Sequence, residues 1–258
     1  MFGLLRAFHD LVFPPRCLSC ERRLDYSLPP LFCEYCLANI RPLVSPLCTC
    51  CGEPFPGGED HLCGQCLSNA PVYESCRSLF YYQPPLTELL VKLKFSGRTE
   101  VVPTLSSLVE KYGLLTGLPE IDIIVPVPLH IKRLRQRGFN QSILLARQLL
   151  PENKALLNVT ALVRTKNTIP QSSLSGKERR ANLKDSFALT SFEAVKNKKV
   201  LLIDDVYTTG STVNACCRIL RKAAPSEIHV LTVARSVSRS YATSTSILPP
   251  GQAGKSRG

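Results

Sequence analysis

VLLIDDVYTTGST, residues Val200 to Thr212, packs an apolar run, an acid pair and a small-residue turn into one short stretch. Val200 to Ile203 is continuous and apolar, the signature of a strand buried on both faces of a parallel sheet. Asp204 and Asp205 come next, at the carboxyl end of that strand, the edge at which open α/β sheets take their ligands. Thr208, Thr209, Gly210, Ser211 and Thr212 form the turn, and Val213 to Lys222 has helical composition. A turn of this kind aims backbone N–H groups and hydroxyls at one point, at the positive end of a helix, where a phosphate is stabilised. Carboxylates beside it accept hydrogen bonds from a vicinal diol or hold a divalent cation through oxygen. A phosphate cradle next to a diol acceptor reads as a sugar-phosphate site. No GxxxxGKS or GxxxxGKT loop and no GxGxxG after a strand competes with it.

Outward from this stretch, strand and helix patterns alternate. Leu79 to Gln83 is strand-like, Leu86 to Phe95 is an amphipathic helix, and Val101 to Leu115 repeats the helical period. Ile121 to Val125 is a second apolar strand, stopped by Pro126 and Pro128. Gly138 to Leu150 reads as a helix, Ala155 to Val163 as a strand, and Glu227 to Ala234 as a last core strand. The expected fold class is α/β, a doubly wound parallel sheet, preceded by a small amino-terminal module.

That module carries a different chemistry. Eight of the twelve cysteines form four pairs with two residues between partners: Cys17 and Cys20, Cys33 and Cys36, Cys48 and Cys51, Cys63 and Cys66. One turn can then place both sulfurs on one cation, and two pairs close a tetrahedral four-cysteine zinc site with no open position. The zinc is therefore structural. Sequential and interleaved pairing both fit the spacing. Gly52 permits a tight knuckle after Cys51, which favours Cys51 over Cys50 as a ligand. Cys76, Cys216 and Cys217 lack partners at ligand spacing and read as buried hydrophobes. Residues 17 to 66 hold scattered apolar side chains with no sustained period, so metal binding is expected to supply most of the module's folding free energy.

Charge is unevenly distributed. Fifteen lysines and arginines against four acids fall between Leu129 and Lys199, nearly the whole of the net +12. They concentrate in two expected loops. The first, Pro126 to Gln141, leaves a strand end with Arg133, Arg135 and Arg137; the second, Arg164 to Phe187, is a long polar lid with Arg179, Arg180 and Lys184. Such a field draws a pyrophosphate or a nucleic-acid backbone, and Tyr81, Tyr82, Tyr207 and Phe139 are the candidate stacking platforms for a single strand. No apolar run is long enough to cross a membrane, and a cytoplasmic protein is expected. Met1 to Phe13 reads as a short amphipathic helix, and Ser236 to Gly258 as a disordered tail. The expected division is 1–70, 71–235 and 236–258.

The acid-pair stretch resembles the phosphoribosyl-pyrophosphate (PRPP) motif of type I phosphoribosyltransferases. Taken with CLSC and CEYC, CTCCGEPF and CGQC, LKFSG around Lys94 and Phe95, VPVPLHIKRLRQRGFNQ and the NTIPQSSLSGKERRANLKDSF lid, the chain from about Cys17 to Arg235 is similar to the ComF family of competence-associated proteins. The resemblance implies a type I phosphoribosyltransferase fold behind a zinc module, and a link to single-stranded DNA uptake and competence proteins. It implies that Asp204 and Asp205 hold the ribose hydroxyls, as the catalytic acids if catalysis occurs, and that Thr208, Thr209, Gly210, Ser211 and Thr212 hold the 5′-phosphate. Mg²⁺ would accompany PRPP, and Arg133, Arg135, Arg137, Arg179 and Arg180 would meet pyrophosphate or nucleic acid. Purine-salvage relatives often carry an acid where this chain has Thr208, so the site is nearer to an amidophosphoribosyltransferase, which uses an amine nucleophile and needs no base for a nucleobase.

Overall fold

A computed structural model describes residues 14–25, 29–166 and 185–237. The expected helix over 1–13, most of the basic lid with Arg179, Arg180 and Lys184, and nearly all of the expected tail lie outside the described residues. The cysteine-bearing module contributes two five-residue helices, α1 (Glu34–Ala38) and α2 (Gly64–Ser68), each entered directly from a cysteine. The core follows in the order β1 (Ser75–Tyr81), α3 (Leu86–Ser96), α4 (Val101–Lys111), β2 (Ile123–Pro126), α5 (Ile131–Arg137), α6 (Gln141–Leu149), β3 (Leu162–Arg164), β4 (Phe187–Leu189), β5 (Lys199–Tyr207), α7 (Ser211–Arg221) and β6 (Glu227–Arg235).

Strands β1, β6, β5 and β2 lie side by side in that order, and every neighbouring pair is parallel. Alternation along β5 sends its side chains to two cores. Leu201 and Ile203 join Leu89 and Leu93 of α3, Leu105 and Leu108 of α4 and Leu145 of α6. Val200 and Leu202 join Val213, Cys216, Cys217 and Leu220 of α7 with Leu162 and Phe187. Apolar layers cover both faces, as a doubly wound sheet requires. The buried set of α3, Leu86, Leu89, Leu90 and Leu93, has the helical period, and Gly97 in the left-handed region ends the helix.

Three expectations are corrected. Ala155 to Val163 is not a continuous strand of the sheet: Pro151–Leu156 is a 3₁₀ helix, Leu157 makes a single parallel bridge to Ile124, and Leu162–Arg164 pairs antiparallel with Phe187–Leu189 in a separate two-stranded sheet. The Asn158 side chain accepts from the amides of Thr160 and Ala161 and turns the chain where the strand was expected. The basic segment after β2 is not all loop, because residues of good helix propensity form α5, capped by His130 and ended by Gly138 at φ 82°. Finally, β5 continues past the acids to Tyr207. Its pairing with β6 runs to Tyr207 opposite Arg235, whereas β2 stops at Pro126 opposite Ile203, so the acids lie inside a strand with a gap on one side.

Candidate functional site

The eight paired cysteines gather into two groups. The Sγ atoms of Cys17, Cys20, Cys33 and Cys36 lie within 4.8 Å of one another, as do those of Cys48, Cys51, Cys63 and Cys66. The arrangement is sequential. A tetrahedron with metal–sulfur bonds of about 2.3 Å has edges of about 3.8 Å; Cys20 and Cys33 are 3.6 Å apart at sulfur, and Cys51 and Cys63 are 3.7 Å apart. In the second group the amides of Cys51 and Cys63 donate to Cys48 Sγ at 3.4 and 3.3 Å. Burial opposes a Cys48 thiolate, but the amides of Cys63, Cys51 and Cys50 together outweigh it and bring the thiol down to about 6. Both groups thus fit zinc, with every position taken by sulfur, and the role is structural. Cys50 stands outside, its thiol directed to the Tyr73 carbonyl at 3.7 Å. Gly52 has φ 72°, and a Cβ there would stand 2.4 Å from the Cys76 carbonyl oxygen. Cys76, Cys216 and Cys217 are buried in the apolar layer shared with α7.

Inside β5, two and three residues before its carboxyl end, Asp205 and Asp204 are 4% and 6% exposed. Burying two carboxylates without partners is costly, and the fold supplies them. Lys94, in the last turn of α3, is ion-paired with Asp205 Oδ2. Burial works against the Lys94 charge, but Asp205 and then Asp204 outweigh it and raise its pKa. Asp204 Oδ1 accepts from the Asp205 amide at 2.9 Å and from Ser142 Oγ at 3.4 Å. Ser142 is fixed at the start of α6 by the Asn140 side chain, which caps that helix at 2.9 Å. Burial first, and the adjoining Asp205 second, push the Asp204 carboxyl up to about 8.

Just beyond Tyr207 the chain turns through Thr208 and Thr209, both exposed, into Gly210 at φ 69°, the residue that caps α7. Thr209 Oγ1 and Ser211 Oγ are 2.7 Å apart. The turn therefore presents hydroxyls and the amide end of an eleven-residue helix on the same rim as the acid pair. Of the arginines singled out, Arg133 and Arg137 share one side of α5, as i and i+4 residues do, and Arg135 is exposed on another. Burial lowers the Arg137 pKa; the charge of Asp205 works to raise it, and that of Arg133 to lower it further. Arg133 also lies within electrostatic reach of Arg164, whose pKa burial lowers.

Sequence reasoning assigned no role to Lys94, Ser142, Phe95 or Arg235. Only the LKFSG string flagged the first and third. Phe95, beside Lys94, is 76% exposed, with the Arg137 guanidinium carbon 5.8 Å from its ring centroid. Of the platforms expected instead, Tyr207 is buried, Tyr82 and Phe139 pack against the apolar core, and Tyr81 is half-buried at the end of β1.

Comparison with known proteins accords with this geometry. Residues 8–67 match the model of the double zinc ribbon domain, and residues 136–246 that of the phosphoribosyl transferase domain. Competence protein F of Haemophilus influenzae is 35% identical over 86% of this chain and 97% of its own length. The chain belongs to the ComF family. Within that family, the DNA utilization protein YhgH of Salmonella typhi is 35% identical over 88% of this chain and 100% of its own. Competence protein ComFC of Bacillus subtilis is 26% identical over 85% and 95%. A solved glutamine PRPP amidotransferase from B. subtilis aligns with 50% of this chain and a quarter of its own, 25%, at 19% identity and a TM-score of 0.32, an overlap too slight to bear on function. Among the described residues, no helix of this ComF member is long and apolar enough to cross a membrane.

Proposed function

We propose that this ComF member holds PRPP, or a related sugar phosphate, at the turn after β5, and that it assists the handling of single-stranded DNA in natural competence. One observation carries the first half: two buried acids and a glycine-capped helix start share one rim of a parallel sheet. In this reading the turn from Thr208 to Thr212 receives the 5′-phosphate, and the ribose hydroxyls donate to Asp204 and Asp205. Lys94, ion-paired with Asp205, balances the charge of that carboxylate beside the diol. Asp205 is already ion-paired and Asp204 already accepts two hydrogen bonds, so Mg²⁺ would be held by the pyrophosphate of PRPP, whose charge it would offset. Arg133, Arg137 and Arg164 line the pyrophosphate side, with Arg179 and Arg180 of the lid assigned there by the sequence alone.

The DNA half draws support from the names of the relatives and from α5, which carries Lys132, Arg133, Arg135 and Arg137, has no acid and buries none of its residues. A second reading, an active transferase, is favoured by Arg137 and Arg164, which lie within electrostatic reach of Asp205 and Asp204. An amine nitrogen would attack the anomeric carbon, and the carbon–oxygen bond would break with its electron pair leaving on pyrophosphate. Pyrophosphate release from PRPP in the presence of ammonia tests that reading.

Titration calorimetry tests the main reading, with PRPP and with a short single-stranded oligonucleotide in one buffer. Asp204→Asn with Asp205→Asn is expected to weaken PRPP more than about a hundredfold, as the loss of two charge-assisted hydrogen bonds implies, while two zinc ions per chain remain. Unchanged affinity would move the sugar site elsewhere. Oligonucleotide binding that ignores salt would remove the DNA half.

A further inference from the structure

We infer that Arg235 and Tyr207 are positioning residues that tie the phosphate turn to the second zinc site, so that the occupancy of either is felt at the other. The inference rests on the reading of Thr208 to Thr212 as a phosphate site.

Tyr207 is the last residue of β5, and the turn begins with the next residue. Its ring lies against Gly210: a Cβ on that glycine would stand 2.3 Å from the Tyr207 hydroxyl and 2.7 Å from Cζ. The turn keeps its shape only with the ring in this place, so a displaced ring disturbs Gly210 before anything else. Two contacts hold the ring. Its hydroxyl meets the Tyr73 hydroxyl at 3.1 Å, and the Arg235 guanidinium carbon is 4.3 Å from its centroid.

The donors of that same guanidinium go to the zinc knuckle. Nη1 donates to the Cys51 carbonyl at 2.7 Å, Nε to Glu53 Oε2 at 2.9 Å, and Nη2 to the same Glu53 oxygen, with Cys51 Sγ 3.8 Å away. The knuckle is closed by its own backbone: the Cys48 amide donates to the Glu53 carbonyl at 2.7 Å, and the Gly52 amide to the Cys48 carbonyl at 2.9 Å. A metal on Cys48 and Cys51 therefore fixes Glu53 and the Cys51 carbonyl, these fix the guanidinium, the guanidinium fixes the ring, and the ring fixes Gly210. Arg235 and Tyr207 are both buried, so water does not replace a lost partner. Only a planar fork can bond the knuckle and stack on the ring together, which a lysine cannot do. The first zinc site packs instead against the leucines of α3 and α4.

A ligand that favours the ordered turn must then favour zinc at the second site by the same factor. Native mass spectrometry can count zinc per chain along an equilibrium titration with a zinc-selective chelator in excess Mg²⁺, with and without PRPP. Of the two release steps, one is expected to move to about fivefold higher chelator or more when PRPP is present, within the usual range of site-to-site coupling, and the other to stay. Arg235→Lys should abolish the movement and weaken PRPP by a similar factor in calorimetry. Glu53→Gln should reduce the movement from the ribbon side, and Tyr207→Phe, which keeps the ring, should retain it. PRPP that binds without moving either step, or a full movement in Arg235→Lys, would overturn the coupling. Absence of PRPP binding to the two-zinc wild type would remove the reading of the turn, and the coupling with it.

Discussion

Asp204 is a carboxyl that the fold keeps partly protonated near neutrality. Burial and the neighbouring Asp205 charge raise it to about 8, whereas an unfolded chain leaves it in the ordinary carboxylate range near 4. Between those values the folded state binds the additional proton, so the group favours folding at the acid end and loses that contribution as pH rises through about 8. Melting temperatures of wild type and Asp204→Asn, compared from pH 6 to 8.5, should diverge accordingly, with wild type losing ground as pH rises; a constant difference would remove the account. Diol hydroxyls donate to the ionised form, so PRPP binding below pH 8 should expel a proton, visible as a buffer-dependent calorimetric heat. The acid pair was legible in the sequence because its chemistry sits in adjacent residues after an apolar run. Lys94 was not, because its partner lies across the chain on another element and only folding brings them together.

Gly210→Ala would place a Cβ against the Tyr207 hydroxyl at 2.3 Å with φ at 69°. The left-handed conformation alone costs about 1–2 kcal/mol for a residue other than glycine, which lowers the melting temperature by about 2–8 °C in a domain of this size. The same variant should lose affinity for PRPP, and unchanged affinity would show that the turn does not need its shape. For α5, Lys132→Ala with Arg135→Ala should flatten the slope of log affinity against log salt by about 1.4 for a single strand, at about 0.7 per phosphate contact. Phe95→Ala should weaken an intact oligonucleotide about fivefold or more and leave an abasic one unchanged, as loss of one stacked base implies; equal loss on both would assign the site to charge alone. Periodicity missed α5 because a helix that buries no residue leaves no apolar stripe to read. It placed a strand over residues 155–163 because it counted apolar residues and not the Asn158 turn that divides them.

At the level of the whole molecule, the alternation of strands and helices was legible because each element buries a face, and the zinc ligands because their spacing is short. How the ribbons meet the sheet was not, because scattered apolar residues between cysteines carry no period. In the structure they are part of the core: Leu18, Leu24, Phe32 and Ile40 belong to the same buried cluster as the leucines of α3 and α4, and the Leu31 amide donates to Thr104 Oγ1 at 3.3 Å. The chain at Arg41 and Leu43 also bonds to β1, through the Arg41 carbonyl with the Tyr81 amide at 3.0 Å and the Leu43 amide with the Leu79 carbonyl at 2.9 Å, so the ribbon covers that edge of the sheet. Zinc removal should therefore cost more than the ribbons themselves. Among the described residues they contain only the five-residue helices α1 and α2, against eleven residues each in α3, α4 and α7. Apolar surface of α3 and α4 would be left without its cover, and each large side chain exposed costs about 1.5–3 kcal/mol, against a total stability of only about 5–15 kcal/mol. Chelation to zero zinc per chain should then reduce the 222 nm circular dichroism well beyond the share of two short helices, and zinc readdition should restore it. A loss confined to that small share would mean that the sheet and its helices stand without the ribbons.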